Sequence, residues 1–244
     1  MSLLIHIYTM NIIQTWKTKN IPDYYYSFVN KVTIYNPTCN YMFFDDDDIA
    51  DFMKTKMPEY SDVFYNLTGK IQQIDFFRYL AVYYYGGLYL DLDIDIGQSF
   101  DTLLADSADN CIFPIELKNF GDVLITKQQF FKLIGNYAFY APAKHPFLKL
   151  IIDNIVTQRI ADIDIQIAQL TNSDDARDVY VYHRTGPILV TQSYLDYISR
   201  NNDNSVTLLE PKPYQNNCFG DYGIHRCYGS WRYLHSTQTP MSPL

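Results

Sequence analysis

The chain contains no apolar run approaching the ~18 residues that span a bilayer, so the sequence offers no membrane-crossing helix. It has no basic excess. Its 19 Lys and Arg face 27 Asp and Glu, a net charge of −8, and this argues against a general nucleic-acid binder. It does not argue against a nucleotide as a small partner, because a bound cation inverts the local field. The four cysteines (Cys39, Cys111, Cys218, Cys227) show no CxxC or other metal-ligand spacing. Cys218 and Cys227 are close enough in sequence to pair, but nothing demands an oxidising compartment, and reduced thiols are expected. Met1–Ile13 lacks a basic leader and a clean cleavage site, so it does not read as a signal peptide. A soluble, cytoplasmic protein is the expectation. No repeat, low-complexity tract or linker divides the 244 residues, a length that buries most of its apolar surface as one domain.

What the chain does have is aromatic mass, 23 Tyr and 15 Phe. Such rings serve sugar-binding surfaces, or they reflect compositional bias; composition leaves both open. A 48% hydrophobic and 19% charged content fits a globular protein.

Strand-like and helix-like segments alternate. Met10–Trp16 reads as a first buried strand, and Pro22 with Asp23 starts a helix through Val32. Tyr41–Phe44 is a second strand. The run Asp45–Asp48 after it resembles metal chemistry but fits better as a helix cap and first turn. Helices are expected near Ile49–Lys56, Glu59–Asn66 and Lys70–Tyr85, the last with Ile71, Ile74, Phe77, Leu80, Ala81 and Tyr84 on one buried face. Gly86-Gly87 ends it, and Leu88–Leu90 follows as a strand. Further strands are expected at Cys111–Ile115, Val123–Thr126, Tyr137–Tyr140 and Val206–Leu209, with helices at Pro146–Arg159 and Pro187–Arg200. Thr171–Asp178 reads as a polar loop and the tail from Pro211 as loop-rich. This alternation predicts an α/β sheet with helices on both faces and ligands at the carboxyl ends of its strands.

Asp91 and Asp93 stand at such an end. At i, i+2 on a strand they would share one side and repel unless a cation or hydrogen bonds compensate. A lone DxD is a weak signal, and Asp95 adds the alternative of a chance acidic stretch. Asp75 and Arg78, at i, i+3, share one helical face. They form either a surface ion pair worth ~0–1 kcal/mol or a pair reaching a crevice, with Arg78 suited to phosphate or sugar oxygens. His6, His145, His183 and His235 favour structural roles over ligation.

Taken together, Ile74-Asp75-Phe76-Phe77-Arg78-Tyr79-Leu80 and Tyr85-Gly86-Gly87-Leu88-Tyr89-Leu90-Asp91-Leu92-Asp93 resemble the DxD region of glycosyltransferase family 32. Ile13–Pro22 resembles that family's first strand and loop, Thr185-Gly186-Pro187 its Gly-Pro helix start, and His225 with Gly229-Ser230-Trp231 its C-terminal segment. The resemblance implies a single GT-A domain over 1–244: Rossmann-like α/β with a mostly parallel mixed sheet and a closing loop at about 211–235. It implies retaining transfer of a hexose from a UDP- or GDP-sugar to a glycan or other hydroxyl acceptor, with Mn2+ or Mg2+. Trp16 would stack on the base. Asp75 and Arg78 would hold the sugar, and Asn136 would lie near its reacting end. Asp91 would contact ribose and metal, Asp93 would ligate the metal directly, and His225 would close the metal site. Ser230 and Trp231 would contact the diphosphate. Two departures stand out: Ile13 replaces a frequent His, and the short region from Asp101 to His145 reduces acceptor-binding insertions.

Chemically, a metal and donor groups aimed at a departing diphosphate lower the barrier. Two rivals follow from the same residues. One is a catalytically silent nucleotide-sugar or glycan binding domain. The other is a metal-dependent phosphohydrolase, which would lack a second metal cluster. A glycosidase pair is disfavoured by the i, i+2 spacing.

Overall fold

The computed structural model describes residues 10–105, 109–116, 132–158, 180–201, 204–213, 215 and 217–229. Its centre is a seven-stranded sheet. Strands β1 (Asn11–Thr15), β2 (Asn40–Phe44) and β3 (Gly87–Leu90) run parallel in the order β2-β1-β3. Antiparallel β7 (Ala138–Ala141) follows, and then β5 (Cys111–Glu116), which returns to the first direction. β5 also pairs with antiparallel β6 (Leu133–Ile134) and parallel β8 (Val206–Leu209). Five of the seven strands therefore point the same way, giving the expected mostly parallel mixed α/β sheet.

Alternate strand residues face opposite sides, and the core divides accordingly. Ile13, Tyr89, Phe139 and Phe113 join one cluster with helices α2 (Asp46–Thr55), α4 (Lys70–Tyr85) and α6 (Pro146–Val156). Ile12, Leu88, Ala138 and Ile112 join the other, with Val32 of α1 (Asp23–Tyr35) and Leu103 of α5 (Asp101–Ala105). Tyr89, Phe139 and Phe113 stack in succession across β3, β7 and β5, with ring centroids 5.7 and 4.8 Å apart. Such pairs contribute ~0.5–1.5 kcal/mol each beyond their area burial.

α4 carries the first correction. It is not one-faced: every residue from Asp75 to Val82 is buried, while Tyr84 is 39% exposed. The helix lies between the sheet and its neighbours α3 (Ser61–Asn66) and α6, so partners cover several sides. It ends at Gly86, φ 68°, and Gly87 follows at φ 116°. A Cβ on Gly87 would lie 2.3 Å from the Asn11 carbonyl oxygen, so glycine is what lets β3 lie against β1. Asn11 in turn donates its side-chain amide to the Tyr85 and Gly86 carbonyls at 3.1 and 3.2 Å. Orphaned helix-end acceptors are thereby satisfied from the first strand.

Asp45–Asp48 forms the expected cap. The Asp45 side chain accepts from the Asp48 N–H, and the Asp48 side chain accepts from the Asp45 N–H, a reciprocal capping box. A 3-10 turn, Pro58–Tyr60, precedes α3. Residues 180–184 are helical, and α7 (Pro187–Arg200) begins with its proline at the first turn.

Two more expectations change. β3 stops at Leu90, so Asp91 and Asp93 are not on a strand. They sit in a turn closed by the Ile94 N–H on the Asp91 carbonyl at 3.2 Å. The tail is not merely loop: β9 (Cys218–Phe219) and β10 (Gly223–His225) form a small antiparallel sheet with β4 (Ile94–Ile96), in the order β4-β10-β9. α6 ends at Val156. Val123–Thr126, Thr171–Asp178 and Arg159 lie outside the described residues. No helix among the described residues is long and apolar enough to cross a membrane.

Candidate active site

The carboxyl ends of β1, β3 and β5 open into one cavity of about 410 Å³. Trp16, Asp75, Arg78, Asp91, Asp93, Asn136 and His225 all line it. Ser230 and Trp231 lie outside the described residues.

Trp16 follows β1, and its N–H donates to the Phe44 carbonyl on β2. Its ring meets Tyr25 edge-on at 5.1 Å, and the Lys17 ammonium sits 5.4 Å from the ring centre. α4 places Asp75 and Arg78 at the floor, with side chains only 4% exposed, so their pair is buried rather than superficial. Arg78 is a hub. One terminal nitrogen donates to the Asn136 carbonyl at 2.7 Å; the other lies 3.1 Å from Asp75 and 3.4 Å from Asp91. Its guanidinium also lies 4.7 Å from the centre of the Tyr89 ring. Tyr89 donates its hydroxyl to Asp91 at 2.8 Å.

Asp75 is held from three directions. Arg78 and the Asn136 amide (3.2 Å) reach one carboxylate oxygen, and the Thr185 hydroxyl donates to the other at 2.8 Å. Burial pushes the Asp75 carboxyl up to about 6, although Arg78 and Thr185 oppose the shift. Burial likewise raises Asp91, opposed by Arg78, while the Asp93 charge adds to the rise. Burial works against the charge on Arg78, but Asp91, Tyr89 and Asp75 outweigh it and hold the guanidinium firmly ionised.

Asp93 behaves oppositely. Burial would raise it, but hydrogen bonds from the His225 ring and the Tyr228 N–H bring it below the usual carboxylate range. His225 Nε2 is 3.3 Å from Asp93, and the Tyr228 N–H donates to the other Asp93 oxygen at 2.9 Å. The β10–β4 pairing places His225 opposite Ile94, directly after Asp93. The small C-terminal sheet is thus what delivers the histidine to the DxD turn. Asp91, Asp93 and His225 each offer a ligand atom, all within 4.8 Å of one another. Two carboxylate oxygens and an imidazole nitrogen fit a divalent cation such as Mn2+, with Mg2+ served chiefly by the oxygens.

Asp95 turns away from this site to pair with Lys31 and Arg226. His145 caps α6, its Nδ1 accepting the Phe147 N–H, and His183 is buried. His6 and His235 lie outside the described residues. Among the described residues, no disulfide joins Cys39, Cys111, Cys218 or Cys227. Ile13, where the resemblance expects His, is fully buried in the core and so is absorbed by packing.

Sequence reasoning missed Tyr89, Thr185, Tyr137 and Glu116. Tyr89 stands two residues before Asp91, and its alternation on β3 was a usable signal. Thr185 sits in the quoted Thr-Gly-Pro but is 110 residues from its partner Asp75. Tyr137, whose ring stacks on His225 at 4.4 Å, and Glu116, a buried carboxylate ending β5 at the cavity, carry no local signature.

Residues 8–109 match the family described as "Glycosyltransferase sugar-binding region containing DXD motif". The chain is similar to inositol phosphoceramide mannosyltransferase 1 of Schizosaccharomyces pombe, 32% identical over 147 residues covering 59% of this chain and 41% of that protein. It is also similar to mannosyl phosphorylinositol ceramide synthase SUR1 of Saccharomyces cerevisiae, 34% identical over 94 residues covering 38% of this chain and 25% of the relative. The chain therefore spans less than half the length of these curated relatives. Among solved structures, the PaToxG glycosyltransferase overlays with a TM-score of 0.48 at 16% identity, covering 78% of this chain and 70% of that one, too loosely to carry an argument about function. The matched segment holds the helix, the paired glycines, the strand and the DxD turn that build the cavity floor. The match covers less than half of the chain, and within it residues 8–109, with the parallel β2-β1-β3 strands leading into that turn, are similar to the DXD-containing glycosyltransferases.

Proposed function

We propose that this chain is a metal-dependent, retaining transferase that moves a hexose from a UDP- or GDP-sugar to a hydroxyl of a glycan or other acceptor, with its site within the single GT-A domain. The observation that carries the reading is the convergence of the Asp91–Asp93–His225 cluster and the Asp75–Arg78–Asn136 network in one cavity. The names of the yeast relatives support mannose as the hexose.

In this reading Trp16 stacks on the base and His225 and Asp93 hold the cation, with Asp91 shared between cation and ribose. A bound divalent ion would supply charge neutralisation for the departing nucleoside diphosphate. Asp75 receives the sugar. A carboxylate offers roughly four acceptor positions; Arg78, Asn136 and Thr185 occupy three of Asp75's, leaving about one for a sugar hydroxyl. Arg78, engaged by Asn136, Asp75 and Asp91, sets the spacing between sugar and metal ends of the cavity. Ser230 and Trp231 would meet the diphosphate from the C-terminal segment. The leaving phosphate oxygen can take the acceptor proton, so no separate enzyme base is required.

Ligand-induced stabilisation tests the donor class. At a hundredfold excess over Kd a ligand stabilises by ~2.7 kcal/mol, which for a domain this size is a shift of roughly 5–10 °C in Tm. UDP-glucose or GDP-mannose should produce such a shift with Mn2+ present and lose it in EDTA and in Trp16→Ala. Shifts indifferent to both would reject the assignment.

A further inference from the structure

Among the cysteines, Cys227 is the exposed one, and it lines the same cavity as the acidic cluster. Its sulfur lies 3.4 Å from His225 Nδ1 and 3.6 Å from the His225 carbonyl oxygen. The direction of the Nδ1 contact follows the imidazole tautomer. The carbonyl can only accept, and the thiol S–H is in position to donate to it. With the S–H so placed, the sulfur lone pairs are available to an N–H on Nδ1. An imidazole that gives Nε2 to a cation keeps its proton on Nδ1 and needs an acceptor there.

The surrounding backbone delivers the thiol to this position. The Arg226 N–H donates to the Asp93 carbonyl at 3.0 Å and the Tyr228 N–H to the Asp93 carboxylate at 2.9 Å. Both neighbours of Cys227 are thus fastened to the residue that shares the cluster with His225. Between them Cys227 adopts φ 55°, a left-handed conformation uncommon for a residue with a side chain. The other contacts of His225 orient the ring without serving Nδ1: its N–H donates to the Asn217 carbonyl, and its face stacks on Tyr137.

We propose that Cys227 is a positioning residue for the metal site: its sulfur holds the Nδ1 edge of His225 so that Nε2 faces the cation, and chemical capture of that thiol weakens metal binding. The inference rests on the metal reading of Asp91, Asp93 and His225 above. A side chain fixing a metal-bound histidine from behind typically changes affinity ~10–100-fold when removed.

Direct Mn2+ titration, followed by the EPR signal of the free ion, tests it without any turnover assay. Cys227→Ala should bind Mn2+ about tenfold more weakly than the wild type. Cys227→Ser, whose hydroxyl can also accept from Nδ1–H, should recover most of the loss. Iodoacetamide forms an S–C bond as iodide leaves and the thiol proton passes to buffer. It should reproduce the Cys227→Ala defect in the wild type and leave Cys227→Ser unchanged. His225→Ala separates the two levels of the argument. If it binds Mn2+ like the wild type, the Asp91–Asp93–His225 site is misassigned and the inference falls with it. If it binds weakly while Cys227→Ala or the alkylated protein stays within twofold of wild type, or Cys227→Ser is as weak as Cys227→Ala, the role of Cys227 alone is refuted.

Discussion

At the scale of single residues, depth decides what a charge does. Asp75 and Arg78 at i, i+3 could have been a solvent-screened pair worth ~0–1 kcal/mol. Instead their side chains are 4% exposed and tied to Asn136, Thr185 and Asp91. Spacing shows that two side chains share a helical face; it does not show how much protein covers that face. The carboxylates and His225 were legible because their types and neighbours are diagnostic. Thr185 and Cys227 were not, since the contacts that give them meaning are made in space. A pH prediction belongs here. Burial lifts Asp75 from the ordinary 3.8 to about 6 in the folded protein. Between those values the folded chain holds a proton that the unfolded chain has lost, so stability falls as pH rises from about 4 to about 6. Denaturant melts across that window should show this decline in the wild type, amounting to a few kcal/mol at most. Asp75→Asn should lack it; an identical slope in both proteins would count against the buried network.

At the scale of elements, the long periodic segments were readable and their surroundings were not. Helices α1, α2, α4 and α7 and strands β1, β2, β3 and β8 fall within a few residues of expectation. The burial of α4 on several sides, the turn that carries Asp91 and Asp93, and the β4-β10-β9 sheet were missed. Each depends on packing partners that local pattern cannot specify. Two elements can be tested directly. Gly87→Ala would drive a Cβ to 2.3 Å from the Asn11 carbonyl oxygen at a left-handed φ. The strained backbone and overpacking should cost about 3 kcal/mol or more, read as a lowered denaturation midpoint. Asp45→Ala removes one half of the α2 capping box and should cost ~1 kcal/mol. Because Asp45 belongs to a cap and not to the acidic cluster at the cavity, Mn2+ affinity should stay unchanged. A loss of metal binding in that variant would return the Asp45–Asp48 run to consideration as metal chemistry.

At the scale of the whole molecule, the order of the strands lays out the site. Trp16 leaves β1, Asp91 leaves β3, Asn136 precedes β7 and Glu116 ends β5, in the sheet order β1-β3-β7-β5. With strands ~4.8 Å apart, the function proposed above sets base, diphosphate and sugar along these successive steps. This layout is a property of the sheet, and the small antiparallel sheet adds His225 from the far end of the chain. The proposed chemistry requires both halves at once. The most direct test is therefore turnover of UDP-glucose and GDP-mannose, with water or a hydroxyl compound as acceptor, by the wild type and by Asp93→Asn at saturating donor and Mn2+. The prediction is nucleotide diphosphate release by the wild type that stops in EDTA and falls at least ~100-fold in Asp93→Asn, matching the loss of a group that stabilises the leaving charge. Full turnover by Asp93→Asn, or wild-type turnover that ignores EDTA, would contradict it.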